Sequence, residues 1–139
     1  MNDDPIAIAK ACLRAYVDKD RPAIEALIAD DFHFTSPLDN RLDRATYFAR
    51  CWPNSAHTAT FDIVYAVREG ERAFIVYEAQ TDSGKRFRNA EVHTVRRGKL
   101  VDVEVYFGWN LPHKAAPGSS IDKDGDVSSG ESAHEHSAQ

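Results

Sequence analysis

Residues 60–107 read TFDIVYAVREGERAFIVYEAQTDSGKRFRNAEVHTVRRGKLVDVEVYF. This stretch is rich in Val, Ile, Phe, Tyr and Thr, which favour strands. Three short turns divide it, at Glu69-Gly70-Glu71, Asp82-Ser83-Gly84 and Arg97-Gly98. Short connections that contain Gly indicate hairpins between consecutive strands. The pattern therefore predicts a four-stranded antiparallel meander, with strands over residues 60–68, 73–81, 86–96 and 99–107.

The region before the meander has the three-to-four spacing of amphipathic helices. Asp4-Pro5 combines a capping side chain with a proline in the first turn, so it predicts the start of the first helix. Asp20 and Asp43 predict the starts of two further helices, and a short strand is predicted over residues 32–35. Helices followed by strands indicate an α+β domain, with three N-terminal helices packed on one face of a curved antiparallel sheet.

The composition changes after Pro112. Residues 114–139 contain Gly, Ser and charged residues, and five carboxylates against two lysines give this segment a net charge of −3. Such a segment buries too little apolar area to offset its chain entropy. The sequence therefore predicts one domain over residues 1–112 and a disordered acidic tail over residues 113–139.

Composition and charge argue against several classes of function. A net charge of −5 provides no basic face for nucleic acid, and no apolar run reaches the ~20 residues of a membrane span. The first residues lack the features of a signal peptide, so we expect a soluble cytoplasmic protein. Cys12 and Cys51 have neither a Cys-x-x-Cys nor a metal-ligand spacing, so we expect buried thiols, no metal site and no cofactor.

The order of elements and several short motifs resemble a known superfamily. The motifs are Ala15-Tyr16-Val17, Ala26-Leu27-Ile28-Ala29-Asp30-Asp31, Ser36-Pro37, Gly98-Lys99-Leu100-Val101 and Tyr106-Phe107-Gly108. Together they resemble the nuclear-transport-factor-2-like cone fold, and within it the SnoaL-like and ketosteroid-isomerase-like proteins. The resemblance implies a cone-shaped sheet with the helices on its concave face, and one pocket between the two for a small apolar ligand. It also implies homodimerisation through the sheet.

The resemblance can be carried to single positions. Ketosteroid isomerase uses an Asp base and an oxyanion hole formed by a Tyr and a protonated Asp. Tyr16 corresponds to that tyrosine, whereas Ser36 and Val92 stand where the two aspartates would be. Steroid isomerisation by this mechanism is therefore not expected. In the similar epoxide hydrolases an acid is expected near Val105, and valine cannot transfer a proton.

Four further residues are candidates for the pocket. Tyr16 could donate its phenol hydrogen to a ligand carbonyl, or could be a tyrosine at the edge of the core. Asp39 could act as a base near the mouth if burial raised its pKa, or could hold a turn. Tyr47 and Trp52 could form an aromatic wall, although aromatic residues at this spacing often belong to the core.

For the predicted strand over residues 86–96, the question is which of its two faces lines the pocket. Alternation separates Glu91 and His93, which could form an acid–base pair, from Val92 on the opposite face. The correspondence at Val92 favours the valine face as the inner one, and Glu91 and His93 would then join a dimer interface with Glu104. A bulge would reverse the assignment, so both interpretations stay open. In the favoured one, the apolar floor comprises Val92, Val103, Val105 and Phe107.

These observations leave three functions open. The resemblance implies a small-molecule enzyme of the lyase, isomerase or cyclase type, acting without a cofactor on an apolar metabolite that contains a carbonyl group. A second possibility is a non-catalytic module that binds a hydrophobic metabolite. A third is a dimeric interaction domain in which the sheet face matters and the pocket is vestigial.

Overall fold

A computed structural model describes residues 3–122 of the chain. Within them the helices are α1 (Pro5–Asp18), α2 (Arg21–Leu27) and α3 (Arg44–Arg50), and a short 3-10 helix spans Trp52–His57. The strands are β1 (Ile28–Ser36), β2 (Asp39–Asp43), β3 (Thr58–Glu69), β4 (Arg72–Thr81), β5 (Arg86–Arg96) and β6 (Lys99–Leu111). The three predicted helices and the four-stranded meander are confirmed.

Each helix begins at the aspartate that predicted it. The Asp4 carboxylate accepts from the Ile6 N–H at 3.0 Å, and Asp20 accepts from the Ala23 N–H at 3.1 Å. Asp43 caps α3 in the same way. These bonds satisfy N–H groups that have no partner inside the helix, which is why short acidic side chains mark helix starts in the sequence.

The six strands form one curved, open sheet in the order β2-β1-β6-β5-β4-β3. Neighbouring strands are antiparallel except β1 and β6, which are parallel. The α+β cone is therefore confirmed. Strand β2 was not predicted, because Asp39 was interpreted as a residue of a turn or of the cavity mouth. The structure pairs β2 with β1 as a short hairpin at the edge of the sheet.

One bulge decides which side chains of β5 face the helices. In a regular hairpin, the tight turn between β5 and β6 would place Val92 opposite Val103. The register shifts between the pairs Val95–Leu100 and Thr94–Asp102, which leaves Val101 of β6 as an extra residue. His93 is therefore paired with Val103. Opposed residues of antiparallel strands share a face of the sheet. Because Val103 faces the helices, this extra residue in β6 gives it His93 as its partner, so His93 lies on the inner face and Val92 on the outer one.

The orientation favoured for β5 from the resemblance is consequently wrong. Val92 lies on the outer face, in a groove that it shares with Phe74 and Tyr106. Glu91 and His93 line the inner cavity rather than an outer interface. The other predicted floor residues, which belong to β6, do face the cavity, because the bulge precedes them.

A second bulge in β6 leaves Gly108 as an extra residue between the pairs Asn89–Phe107 and Arg88–Trp109. The Gly108 N–H donates to Asn89 Oδ1 at 3.1 Å. A Cβ at this position would overlap the carbonyl oxygen of Arg88. Glycine is therefore required here by the close approach of two backbones.

The chain beyond β6 continues through residues 113–122, where Ile121 forms an isolated β-bridge. The predicted disordered tail lies mostly at residues 123–139, outside the described residues, so the predicted domain boundary stays a prediction. None of the helices within residues 3–122 combines the length and apolar character needed to cross a membrane.

Candidate functional site

A cavity of about 480 Å³ lies between the helices and the concave face of the sheet. This volume lies within the range typical of small-molecule sites. Most of its wall is apolar: Leu13, Ile24, Phe34, Phe61, Phe87, Leu100, Val103, Val105 and Phe107. Polar side chains interrupt this wall in groups, of which two lie deep in the cavity and one lies at its exposed end.

Eight of the ten residues predicted for the site line this cavity: Tyr16, Asp39, Tyr47, Glu91, His93, Val103, Val105 and Phe107. The other two do not. Val92 lies on the outer face, for the reason given above. Trp52 is absent from the lining and packs edge-on against Tyr16, with 4.9 Å between ring centroids. It therefore supports a lining residue instead of forming the wall.

A chain of hydrogen bonds holds Glu91 between two other side chains. The Tyr77 hydroxyl donates to Glu91 Oε2 at 2.6 Å, and His93 Nε2 lies 2.7 Å from Glu91 Oε1. Burial, reinforced by the charge of Glu91, raises the pKa of Tyr77 well above its ordinary value. The Tyr77 phenol therefore keeps its proton and acts as the donor.

The second ring nitrogen of His93 is the unusual atom of the site. His93 is only 2% exposed, yet its Nδ1 is the one buried side-chain polar atom within residues 3–122 that has no hydrogen-bond partner. A buried polar atom without a partner costs about 1–3 kcal/mol. When Glu91 is a carboxylate, Nε2 carries the hydrogen and Nδ1 keeps a free lone pair. This arrangement suits a general base.

Asn89 ties this cluster to the second bulge. Its Nδ2 donates to the Tyr77 hydroxyl at 3.4 Å, while its Oδ1 accepts from the Gly108 N–H. The Tyr77 oxygen thus accepts from Asn89 and donates to Glu91. The backbone of β6 therefore orients the carboxylate through two intervening side chains.

Two tyrosines supply a second polar group. The hydroxyls of Tyr16 and Tyr47 lie 2.6 Å apart, and neither has another hydrogen-bond partner among the described side chains and backbone. One hydroxyl donates to the other, so one phenolic hydrogen is left for a ligand. Burial raises the pKa of both phenols, which keeps them protonated at neutral pH.

Asp39 lies toward the mouth of the cavity. Its carboxylate accepts from Ser36 Oγ at 2.9 Å, and Arg50 Nε lies 3.4 Å away from its other oxygen. The structure thus holds Asp39 in an ion pair instead of leaving it free beside the tyrosines. The ion pair with Arg50 was not predicted from the sequence.

Both cysteines line the cavity, and burial raises the pKa of each to about 12. At pH 8 only about one molecule in ten thousand would then carry a thiolate at either position. We expect iodoacetamide to label the native protein at least about 100-fold more slowly than the unfolded chain. The rate should rise about tenfold per pH unit, measured by mass spectrometry. Equal labelling of both states would contradict the burial of Cys12 and Cys51.

Sequence reasoning missed Tyr77, Asn89 and Gly108. Alternation along β4 places Tyr77 on one face with Ala73 and Ile75, but that pattern alone does not distinguish a core tyrosine from a site residue. The Tyr77–Glu91 contact joins two strands and becomes visible only once their register is known. Within residues 3–122, no group of three or more His, Cys, Asp or Glu side chains is placed to hold a metal ion.

Solved structures share this architecture. A protein from Kribbella flavida DSM 17836 has a TM-score of 0.68 at 21% identity, covering 77% of this chain and 88% of that one. An LEH-like epoxide hydrolase from M. tuberculosis has a TM-score of 0.65 at 17% identity, and the match covers 75% of this chain and 82% of the hydrolase. IdmH from Streptomyces antibioticus, a proposed polyketide cyclase, has a TM-score of 0.62 at 17% identity, and the match covers 73% of this chain and 90% of IdmH. At these identities the similarities establish the fold alone.

No curated protein matches the chain. The model of the SnoaL-like domain matches residues 9–103, which include most of α1, the tyrosine pair and the Tyr77–Glu91–His93 cluster. Because this match spans well over half of the sequence, the chain belongs to the SnoaL-like domain family.

Proposed function

We propose that this protein is an enzyme of the isomerase, cyclase or lyase type that moves a proton next to the carbonyl group of an apolar metabolite. The observation that carries the proposal is His93 Nδ1, which is buried, lacks a partner and belongs to a ring oriented by Glu91. Structural ion pairs normally satisfy both ring nitrogens. A vacant acceptor on a ring that lines the cavity suits a group that takes up a proton.

In the proposed reaction, the Glu91–His93 pair and the Tyr16–Tyr47 pair act on the same ligand. His93 Nδ1 removes a proton from the carbon beside the carbonyl, and the electron pair of that C–H bond moves onto the carbonyl oxygen. The free phenolic hydrogen of the Tyr16–Tyr47 pair stabilises the resulting enolate oxygen. His93 then returns the proton to a carbon of the intermediate. Glu91 stabilises the imidazolium that exists between these two steps.

Hydrogen exchange tests this reaction without knowledge of the natural substrate. Apolar ketones are incubated with the protein in D2O, and loss of the α-proton signal is followed by NMR. We expect His93→Gln to slow the exchange by about 10²–10⁴-fold, the usual contribution of a general base. Tyr16→Phe should slow it by about threefold to tenfold, the value of one neutral hydrogen bond. Val92→Ala, on the outer face, is the control.

Two results would contradict the proposal. One is exchange that persists in His93→Gln. The other is a panel in which ketones bind the wild type, shown by calorimetry, but none exchanges faster than in buffer. The second result would favour a non-catalytic module that binds hydrophobic metabolites in the same cavity.

We further infer that the outer face of the sheet forms a homodimer. Tyr65 of β3 and Tyr106 of β6 are 62% and 53% exposed, and paired residues on β4 and β5, Val76 and Ala90, connect them into one apolar row. Exposed apolar patches that span several strands mark interaction surfaces. Of the residues expected at the interface, Glu104 and Tyr106 lie on this outer face, whereas Glu91 and His93 line the cavity and are not part of it.

We expect a homodimer at micromolar concentration that Tyr106→Lys weakens by at least about tenfold. The substitution places a charge in the apolar row, where association would have to desolvate it. Sedimentation velocity over a concentration series measures the change. Ala11→Lys adds the same charge on an exposed face of α1 and should leave the dimer intact. A wild-type monomer at high concentration would contradict this interface.

A further inference from the structure

The mouth of the cavity has a charge opposite to that of the chain. The exposed members of the cavity lining are Leu38, Arg50, Asn54 and Lys85. The chain as a whole has a net charge of −5, yet the mouth carries the cations Arg50 and Lys85 against the single carboxylate of Asp39. A cleft lined by one sign of charge concentrates ligands of the other sign.

The guanidinium of Arg50 is anchored at one edge and free at the other. Arg50 lies in the last turn of α3, and its Nε contacts Asp39 Oδ1 at 3.4 Å. Ser36 holds that carboxylate in place. Within residues 3–122, neither η nitrogen of Arg50 has a hydrogen-bond partner, so the fork can still receive an anion.

The backbone of Lys85 is held equally well. Its N–H donates to Thr81 Oγ1 at 3.2 Å, and its carbonyl accepts from the Thr81 N–H at 2.8 Å. Its ammonium group has no acidic partner among the described residues. The turn between β4 and β5 therefore presents a second cation, two positions before Phe87 of the apolar wall.

We propose that the ligand of this cavity is an apolar oxo acid, with its carbonyl group deep in the cavity and its carboxylate bound at the mouth by Arg50 and Lys85. The proposal rests on the proposed function, since it concerns the same site. Arginine matches the bidentate geometry of a carboxylate. The carboxylate stays at the mouth because the apolar interior would desolvate it at high cost.

The two ends of the proposed ligand site lie at different levels along β5. Phe87 and His93 both lie on β5 and line the cavity, six positions apart. At about 3.3 Å per residue, the strand separates these two levels by roughly 20 Å. A ligand that reaches from the cations to the His93 ring therefore needs an extended apolar middle, which the aromatic and aliphatic wall can enclose.

The test compares decanoate with decanamide, which share one alkyl chain and differ in charge. Their affinities are measured by displacement of the neutral dye Nile red at low salt. We expect decanoate to bind about tenfold more tightly, and salt to reduce the difference. In Arg50→Gln/Lys85→Gln the ratio should fall to about one. In Asp39→Asn, which removes the competing carboxylate, it should rise.

The double variant Lys10→Gln/Arg97→Gln is the matched control, because it removes the same charge from exposed residues that do not line the cavity. It should retain the preference for decanoate. A ratio near one in the wild type, or a preference that survives in Arg50→Gln/Lys85→Gln, would overturn the proposal. So would failure of both probes to displace the dye. Exchange of neutral ketones at His93 requires no anionic group, so it tests the proposed function separately.

Discussion

Replacing Glu91 with Gln is expected to slow ketone α-proton exchange by about 10²–10⁴-fold while the fold is retained. The side chains have nearly the same shape, but Gln has one acceptor and one donor group. Its oxygen must accept from Tyr77, because Asn89 already donates to that hydroxyl and the Tyr77 hydrogen needs an acceptor. The Gln amide then donates to His93 Nε2, which forces the ring hydrogen onto Nδ1. The base is lost through a change of tautomer.

The tautomer of His93 can be measured independently of the exchange rate. Nitrogen chemical shifts of labelled His93 distinguish the two neutral tautomers, so NMR should show the hydrogen on Nε2 in the wild type and on Nδ1 in Glu91→Gln. Asp62→Asn, at an exposed position of β3 outside the cavity, is the control for loss of one carboxylate. An unchanged tautomer with an unchanged exchange rate would show that Glu91 does not orient the ring.

Gly108→Ala is expected to destabilise the protein by about 2–4 kcal/mol, among the larger effects of a single substitution. The new Cβ would overlap the carbonyl oxygen of Arg88, which belongs to the backbone and cannot move away as a flexible side chain could. Relief requires β5 and β6 to separate locally, and that weakens the Gly108–Asn89 hydrogen bond. Chemical denaturation measures the loss.

Gly70→Ala provides the comparison for this substitution. Gly70 has a φ of 60° and no atom within 4 Å of an added Cβ, so alanine there meets only backbone strain, worth about 1 kcal/mol. Gly108→Ala should therefore cost clearly more than Gly70→Ala. Equal losses would mean that the two strands can accommodate a side chain at the bulge, and that the bulge does not constrain the site.

The features that could be predicted from the sequence are those set by local interactions. Asp4, Asp20 and Asp43 accept hydrogen bonds from residues two or three positions later, so each helix start is encoded within one turn. The strands of the meander follow from β-branched and aromatic residues between short turns. Alternation within β6 places Val103 and Val105 on the same face, and both line the cavity.

The sequence alone did not determine which face of β5 lines the cavity. Val92 and His93 are neighbours, and regular pairing from the turn would have directed the valine inward. Val95 and Leu100 are both buried in the core, as is Val103, and all three can face inward only if Val101 is accommodated as an extra residue. A bulge of this kind depends on packing between strands and helices, and it changes which residues of the two strands share a face. Tertiary packing therefore placed Glu91 and His93 in the cavity, whereas the sequence by itself determined the helices, the meander and the apolar wall.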